Sequence, residues 1–574
     1  MNQGWAINAT TDTITFNLPP PTGTDNIVVR QMPSSGVGGT DVWAIGSWSK
    51  EYGYPTEVEF YGDRLWFAGT PAEPQRIDAS CIGDYTNFGK SSPMVDSDAL
   101  TFAINARRVN AIRDLIPLDN LLALTTGGEY KLTGGSDEVV TPSTIGAKPQ
   151  GNAGISDVPA EVIGDSAIMV QAEGQKIRDL RYQFEKDGFR GDDISVWADH
   201  LLEGREVVSM AYWKAPWQVL WINRDDGIRL GCTYMPEQEV LGWHHHDTDG
   251  EYLDTCSLPG VKESECYHLV RRFVGGEWVQ FIEEQAPSRA VEEADLFFVD
   301  CGLQYDGRNG TATTIALSTT IALSTAEGWT EQDELTITAS APLFSGAGDV
   351  GDGFELWRMV ETVEEGVLVR RRVSVRLVID AYDSATQVRA RSIGTVPPEL
   401  RGLPLTSWTL QRDTIDNLWH LEGKVVSVLQ DAAVAGPFLV QNGRITLQTP
   451  GGVVNVGLPY EAEIETLELN DPGGESMRDK NKLAYKASIL LLASRGVSAG
   501  GVRDKLYPVK ERSYEDYGQP PFLKTGVVDV DIPAGWGPDA GRVRIVSSDP
   551  LPMEVLSITT RAVSSNGQSA GGSR

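Results

Sequence analysis

The stretch from Glu51 to Lys90 constrains the fold more than any other part of the chain. Apolar and polar residues alternate through its first half, with Val58, Phe60, Leu65 and Phe67 apolar and Glu57, Glu59 and Arg64 polar. This period of two predicts two strands that each bury one face, and Tyr61-Gly62-Asp63 between them predicts a tight turn. A proline-rich turn and another short strand segment follow, so the stretch predicts a β-hairpin with a returning strand.

Similar strand–turn–strand patterns continue to about residue 300. The hairpin turns contain glycine, at Gly127-Gly128, Glu173-Gly174, Asp225-Asp226-Gly227 and Gly275-Gly276. None of these small antiparallel units can cover its own faces, and a β-propeller closes such a series while it protects the strand edges. Residues 51–300 are therefore predicted to form the first part of a β-propeller.

The rest of the chain predicts further β segments and a tail. Residues 1–50 read as a short N-terminal β segment, with strands at Thr13–Phe16, Ile27–Arg30 and Val42–Ile45. Residues 301–412 predict an inserted β domain, 413–460 the last part of the propeller, and 461–563 a C-terminal β domain. The Gly/Ser-rich residues 564–574 predict a disordered tail. The predicted fold class is all-β with few helices: a β-propeller-like domain split by an inserted β domain, with a C-terminal β domain.

Two patterns distinguish the inserted domain. The sequence TTIALS occurs at 313–318 and again at 319–324, which indicates either two short paired strands or a duplication in the gene alone. Residues Val367–Ile379 alternate basic and apolar side chains, which predicts a pair of strands with one solvated face.

The charge limits the possible partners. The chain has 49 basic and 80 acidic residues, a net charge of −31. A protein that binds DNA regardless of sequence needs Lys and Arg to displace counterions from the phosphates. The composition therefore argues against such a surface, and it fits a surface that stays soluble or does not adhere to nucleic acid.

The five cysteines form no CxxC pair and no disulfide framework, which predicts free thiols in a protein made in a reducing cytoplasm. The first residues contain neither a basic segment nor an apolar core, so we expect no signal peptide. The longest apolar run, Ile489–Ala493, is too short to span a bilayer, so we expect no membrane insertion.

Residues Gly346–Gly351 match the pattern GxGxxG. A dinucleotide site needs a strand before this pattern and a helix after it, so that a phosphate meets a helix N-terminus. The residues that follow, Gly353–Trp357, instead predict a strand. We interpret the match as a glycine-rich loop.

Four other motifs suggest chemistry only weakly. His244, His245 and His246 are adjacent on a predicted strand, so their side chains alternate between faces and do not converge on one metal ion. Residues Asp247–Glu251 resemble half of a calcium loop but lack its distal glutamate, so they predict a polar turn. Arg190-Gly191-Asp192 also predicts a turn.

The remaining motif is aromatic: Trp213, Trp217, Trp221 and Trp243 could stack on sugars. For the first three, packing between propeller blades is the preferred interpretation. The sequence thus predicts no catalytic, cofactor-binding or metal-ligating residue, and it identifies no lumen or gate residue.

Two ordered sets of motifs resemble one protein family. The first set is Gly53-Tyr54-Pro55, Arg64–Thr70 (RLWFAGT) and Gly83–Phe88 (GDYTNF). The second begins at Gly457–Tyr460 (GLPY) and continues through Ser494-Arg495-Gly496, Leu506–Lys510 (LYPVK), Gly535-Trp536 and Asp549–Pro552 (DPLP). In order and spacing, both sets resemble the nozzle, or tail tubular, proteins of short-tailed bacteriophages.

The resemblance implies a structural virion protein of the tail, synthesised in the host cytoplasm. It implies a homo-oligomeric ring, a hexamer, below the portal and adaptor rings. Its implied partners are adaptor or portal-proximal tail proteins and tail fibres or tip proteins. The genome passes through such a ring without specific binding, and we expect an acidic lumen to repel its phosphates. It implies no enzyme activity and no cofactor. The family's longer members have more chain before the GYP motif, so here either the N-terminal domain is reduced or a separate polypeptide supplies it.

Two other functions stay open from the sequence. A phage tail enzyme or receptor-binding protein that acts on a host surface glycan would use a pair of carboxylates, and the many acidic residues could contain one. A cellular β-propeller scaffold is the third possibility.

Overall fold

The computed structural model describes residues 5–8, 13–16, 48–106, 109–135, 139–287, 289–319, 329–331, 333–364, 367–468, 481–502, 505–512, 520–533, 535–537 and 541–564. The protein is 54% strand and 5% helical. The prediction of an all-β chain with few helices is therefore confirmed. The short helical elements are α1 (Asp199–Leu202) and the 3-10 turns Phe184–Lys186, Pro236–Gln238, Glu293–Asp295, Ala347–Asp349, Pro398–Leu400 and Trp419–Leu421.

The chain divides into two units. The first contains Met1–Arg272 and Gln280–Gln285, and the second contains Phe273–Val279 and Ala286–Arg574. The domain boundaries predicted at residues 300, 412 and 460 stay predictions. Among the described residues, no helix combines the length and the apolar character needed to cross a lipid bilayer.

The first unit begins with a two-stranded hairpin, β1 (Trp5–Asn8) and β2 (Thr13–Phe16). The predicted strands Ile27–Arg30 and Val42–Ile45 lie outside the described residues. Five antiparallel sheets then follow one another along the chain, and we number them sheets 1 to 5. Sheets 1 to 4 each contain four strands hydrogen-bonded in sequence order, and sheet 5 contains three.

The strands of sheet 1 are β3 (Glu57–Tyr61), β4 (Arg64–Ala68), β5 (Arg76–Ala79) and β6 (Leu100–Ala103). Those of sheet 2 are β7 (Ile112–Pro117), β8 (Leu121–Thr125), β9 (Gly128–Thr133) and β10 (Gly146–Pro149). Sheet 3 has β11 (Glu161–Ile163), β12 (Ser166–Val170), β13 (Ile177–Gln183) and β14 (Gly188–Asp193). Sheet 4 has β15 (Val207–Trp213), β16 (Val219–Arg224), β17 (Arg229–Met235) and β18 (Val240–His246). Sheet 5 has β19 (Glu251–Leu258), β20 (Glu265–Val274) and β21 (Glu277–Glu284).

The second strand of sheets 2, 3 and 4 is apolar on both faces, and this pattern links the sheets. In β8, Leu121 and Ala123 belong to the core shared with sheet 1, whereas Leu122 and Leu124 belong to the core shared with sheet 3. Side chains alternate between the two faces of a strand, so five consecutive buried residues pack into two different cores. The same division occurs in β12, between the cores shared with sheets 2 and 4, and in β16, between those shared with sheets 3 and 5. Each sheet therefore packs face to face against the next one in the chain.

The first predicted hairpin turn is a two-residue loop. Tyr61 pairs with Arg64, and both loop residues have positive φ, 55° at Gly62 and 55° at Asp63. This is the backbone conformation of the twisted turns that suit antiparallel hairpins. Gly227, in the turn between β16 and β17, also has positive φ (81°).

Within its described residues, the second unit forms four sheets. Its strands are β22 (Asp300–Asp306), β23 (Ile315–Thr319), β24 (Leu335–Ala339), β25 (Gly353–Glu364), β26 (Val367–Ser384), β27 (Gln387–Ile393), β28 (Trp408–Ile415), β29 (Val425–Gln430), β30 (Ala433–Leu439), β31 (Ile445–Gly451), β32 (Val453–Leu458), β33 (Ala462–Glu465), β34 (Lys482–Ser494), β35 (Val497–Gly501), β36 (Tyr507–Pro508), β37 (Lys524–Asp531), β38 (Val543–Ser547) and β39 (Glu554–Ser564).

One four-stranded sheet, in the order β22-β32-β29-β30, is interrupted in sequence, and we call it the split sheet. Between β22 and its other strands the chain forms most of a seven-stranded sheet, in the order β23-β24-β27-β26-β25-β28-β31. The C-terminal part forms a sandwich of the sheets β33-β38-β35-β36 and β37-β34-β39, because both contribute to one apolar core.

The structure differs from the sequence predictions at three places in the second unit. Val367–Ile379 was predicted as two strands but lies within one strand, β26, because its apolar–polar alternation continues without a turn residue. The first TTIALS copy contributes β23, which pairs with β24, and residues 320–324 lie outside the described residues. Ser564, predicted as part of the tail, ends β39, and residues 565–574 lie outside the described residues.

Candidate functional site

The three adjacent histidines lie on β18 and alternate as a strand requires. His244 and His246 share one face, where the Nδ1 atom of His244 lies 2.7 Å from the Nε2 atom of His246. His245 is exposed, on the opposite face. The side chains of the three residues therefore do not converge on one point, as the sequence predicted.

A buried arginine lies beside this pair. Arg229 is 8% exposed, and its guanidinium carbon lies 4.3 Å from the ring centroid of Trp221 and 4.4 Å from that of Tyr252. Cations are attracted to the faces of such rings. Its Nη1 atom lies 2.6 Å from Nε2 of His268, on β20. The sequence motifs did not point to Arg229 or His268, because neither belongs to a recognisable pattern.

The histidines in this cluster are neutral near pH 7. Burial, and next the positive charge of Arg229, lower the pKa of His268 to about 3 and the pKa of His244 to about 4. When Nε2 of His268 accepts from Arg229, Nδ1 carries the proton and donates to the hydroxyl of Thr255, 3.0 Å away. Among the residues that the structure describes, no three His, Cys, Asp or Glu side chains are grouped to hold a metal ion. The cluster is an internal polar network between sheets 4 and 5.

Tryptophans pack beside this network. The rings of Trp213 and Trp221 stack at 6.3 Å and are buried in the core between sheets 4 and 5, as predicted. Trp217 is 37% exposed, so the prediction that it packs between sheets is wrong. Trp243 is half-buried, and its Nε1 atom donates to the carbonyl of Ile194.

The GxGxxG match is a loop, as predicted. Residues Ala347–Asp349 form a 3-10 turn, and strand β25 follows at Gly353. The Asp349 carboxylate accepts hydrogen bonds from the backbone of Ser345 and Gly346, and it pairs with Arg412 at 3.3 Å. The Asp349 carboxylate thus occupies these backbone N–H groups, which a bound phosphate would need as donors. The loop is therefore fastened by its own aspartate.

Two predicted turns have different outcomes. Arg190-Gly191-Asp192 lies within β14, so the prediction of a turn is wrong. In that strand Gly191 is paired with Leu180 of β13. The Asp247–Glu251 segment is polar, as predicted, and contacts arginines: Thr248 accepts from Arg272 at 2.7 Å, and Glu251 pairs with Arg271.

The first strands of sheets 1 to 3 carry electrostatically coupled carboxylates. Glu57 lies on β3, Asp114 on β7 and Glu161 on β11. Burial, and next the negative charge of Asp114, raise the pKa of Glu161 to about 7. Burial also raises the pKa of Asp114. No sequence signal identifies this group, because its members are about 50 residues apart on three different sheets.

Strands β25 and β26 form a hairpin that extends beyond their neighbours. Strand β28 pairs with β25 only as far as Leu356, and β27 pairs with β26 only from Arg376 onward. Between these points Trp357–Glu364 pairs with Val367–Ser374 alone. We call this projecting part, with Val375, the arginine hairpin, because Arg358, Arg370, Arg371 and Arg372 lie on it.

A cleft of about 930 Å³ lies beside the arginine hairpin. Its lining includes Trp357, Arg372, Arg376, Arg308 and Asp431. Arg308 is held there by ion pairs with Glu292, Asp295 and Asp306. The cleft is polar and contains carboxylates of its own, so its arginines are partly neutralised.

No protein-family model matches the chain, and no curated protein matches it either.

Proposed function

We propose that this chain is a structural tail nozzle protein of a short-tailed bacteriophage, and that a homohexameric ring of it conducts the genome out of the virion. The observation that carries the proposal is the series of sheets 1 to 5. Each is a meander of antiparallel strands, and each packs on the next through a strand buried on both faces. Small sheets that pack face to face in series are what a β-propeller requires, and the sequence predicts a propeller over residues 51–300.

The split sheet supports the proposal that a β domain is inserted into the propeller. Its strand β22 precedes the inserted segment, whereas its partner β32 follows that segment. An insertion between strands of one sheet leaves the sheet intact while adding a second body. The sequence predicts the same arrangement, a β domain inserted into the propeller.

The charge gives the proposed ring its mechanism. Six copies with a net charge of −31 each would present many carboxylates to a central passage. Phosphates are repelled by such a wall, so DNA slides through without adhering. The proposal requires neither catalysis nor a cofactor. Adaptor or portal-proximal proteins and tail fibres or tip proteins would contact the two faces of the ring.

Native mass spectrometry of the purified full-length chain tests the proposal. The expected result is a species of six copies, and duplex DNA added at physiological salt should not associate with it. A trimer that cleaves or binds a host surface glycan would contradict the proposal. It would indicate a tail enzyme or a receptor-binding protein instead. A chain that is monomeric at all concentrations would indicate a scaffold instead.

A further inference from the structure

The arginine hairpin is free of neighbouring strands, and its two faces differ in charge balance. Residues directly opposite each other in an antiparallel pair share a face. On one face Arg370 pairs with Glu361 at 2.7 Å, and Arg372 pairs with Glu355 at 3.1 Å. Arg372 also lies over the ring of Trp357, 4.7 Å from its centroid. These arginines on this face are therefore neutralised within the chain.

The opposite face carries two other arginines, Arg358 and Arg371. Arg358 is opposite Val373, and Arg371 is opposite Val360, so the two arginines are diagonal neighbours on that face. Diagonal neighbours are roughly 7–8 Å apart. Both side chains are exposed, and neither forms an ion pair with a residue whose side chain the structure describes. Two like charges this close disfavour the isolated chain and favour an anionic partner.

The balance of charge in the whole chain identifies that partner. We propose that the face of the arginine hairpin carrying Arg358 and Arg371 docks on an acidic surface of a second copy of this chain. A copy has 80 acidic and 49 basic residues, so its exterior presents an excess of carboxylates. Arginine binds carboxylates through two parallel hydrogen bonds, which fixes geometry as well as charge. This inference rests on the proposed ring and assigns the contact that holds neighbouring copies together.

The face that carries Arg358 and Arg371 also borders the core of the seven-stranded sheet, because Val373 and Val360 lie directly opposite these arginines. Val373 and Val375 are buried, and Val360 packs against the same core of the seven-stranded sheet. The two arginines thus project from a backbone held by packing. A partner that binds them need not order a flexible segment, which would lower the affinity.

The test compares two double variants that each lose two positive charges from the seven-stranded sheet. R358Q/R371Q removes the unneutralised arginines. R389Q/R391Q is the matched control, because Arg389 and Arg391 pair with carboxylates of the same chain. Mass photometry over a dilution series measures the concentration at which the ring dissociates, at about 0.15 M and about 1 M salt. Circular dichroism checks that both variants are folded, as the exposure of all four side chains predicts.

For R358Q/R371Q we expect the dissociation midpoint to rise at least about tenfold at the lower salt, and its dependence on salt to weaken. The control should stay within about twofold of wild type. If R358Q/R371Q dissociates at the wild-type concentration while the ring itself exists, this inference is wrong and the nozzle proposal stands. A wild-type chain that never assembles overturns both.

A second measurement tests whether the arginine hairpin binds DNA, the other polyanion that Arg358 and Arg371 could contact. Fluorescence anisotropy with a labelled duplex of about 20 base pairs should show no binding by either wild type or R358Q/R371Q at about 0.15 M salt. Wild-type binding that the double substitution abolishes, with the ring unchanged, would assign the hairpin to nucleic acid and overturn the proposal.

Discussion

Arg64, in the RLWFAGT motif, is a buried cation that organises the chain after the first hairpin. It is 2% exposed, and it donates to the carbonyls of Ser80 (2.5 Å), Asp96 (2.7 Å) and Asp98 (2.7 Å). Hydrogen bonds from a charged donor are stronger than those between neutral groups, and they satisfy carbonyls that would otherwise lie unpaired near the core. The arginine of this motif therefore has a structural role, because its side chain connects β4 to two later segments through hydrogen bonds.

We expect Arg64→Met to lower the free energy of unfolding by about 2–4 kcal/mol, because it leaves three carbonyls without their donor. Urea denaturation measures the change. Arg113→Met is the control: Arg113 is 42% exposed and pairs with Asp157 at the surface, so it should change stability by less than about 1 kcal/mol. Equal effects of the two substitutions would show that Arg64 does not hold this region together.

Glu161 should make stability depend on pH. Its pKa of about 7 in the folded state exceeds the ordinary 4.5, so the folded chain binds this proton more tightly than the unfolded chain does. Stability therefore decreases as pH rises from about 4.5 to about 7, and above that range the full penalty applies. Glu161→Gln removes the penalty. We expect the variant to match wild type near pH 4.5 and to exceed it by about 1–2 kcal/mol at pH 8, after allowance for partial solvent screening.

Urea denaturation at both pH values measures that difference. An unfolding free energy that differs from wild type by the same amount at pH 4.5 and pH 8 would contradict the assignment of the shifted carboxyl to Glu161.

The contacts of individual side chains were the least predictable features of the protein. The alternation of the three histidines followed from the strand period alone. The partners that determine their chemistry, Arg229 and His268, come from other strands, and only the tertiary structure brings them together. The coupled carboxylates of Glu57, Asp114 and Glu161 were missed for the same reason.

At the scale of elements, strands and turns were the most predictable features, because both depend on neighbours in sequence. Period-two alternation identified β3 and β4, and glycine identified their turn. The predicted buried face was wrong, because Val58 and Phe60 are exposed whereas Arg64 is buried. The errors also have local causes. Gly191 was interpreted as a turn residue although it lies in strand β14, where it pairs with Leu180. Alternation over Val367–Ile379 does not by itself say how many strands it contains.

Two glycine turns should respond differently to one substitution. At Gly62 a Cβ would meet nothing within 4 Å, so Gly62→Val adds only the strain of positive φ, about 1–2 kcal/mol. At Gly227 the Cβ would lie 2.6 Å from the Cβ of Glu251 and 2.8 Å from its Cα, at the start of sheet 5. Gly227→Val should therefore cost at least about 3 kcal/mol.

Thermal melting of both variants, with urea denaturation for the free energies, measures this order. A Gly227→Val chain as stable as the Gly62→Val chain would show that the turn of sheet 4 is not packed against β19 as the structure has it.

At the scale of the whole molecule, the fold follows from strands that are apolar on both faces. A sheet with one such strand is stable only between two neighbours, and sheets 2 to 4 each have a neighbour on either side. Repeated hairpins made this series predictable from sequence. A change in sequence pattern marks the segment between β22 and the rest of the split sheet, which forms most of the seven-stranded sheet. The projection of the arginine hairpin instead depends on where β27 and β28 stop pairing.

We propose that copies of this chain surround a passage lined with carboxylates. An electron cryomicroscopy reconstruction of the purified protein, calculated without imposed symmetry, tests it most directly. The account predicts six copies around an open axial channel with Asp and Glu enriched on its wall. A reconstruction without a central passage, or with a channel lined mainly by Arg and Lys, would contradict it.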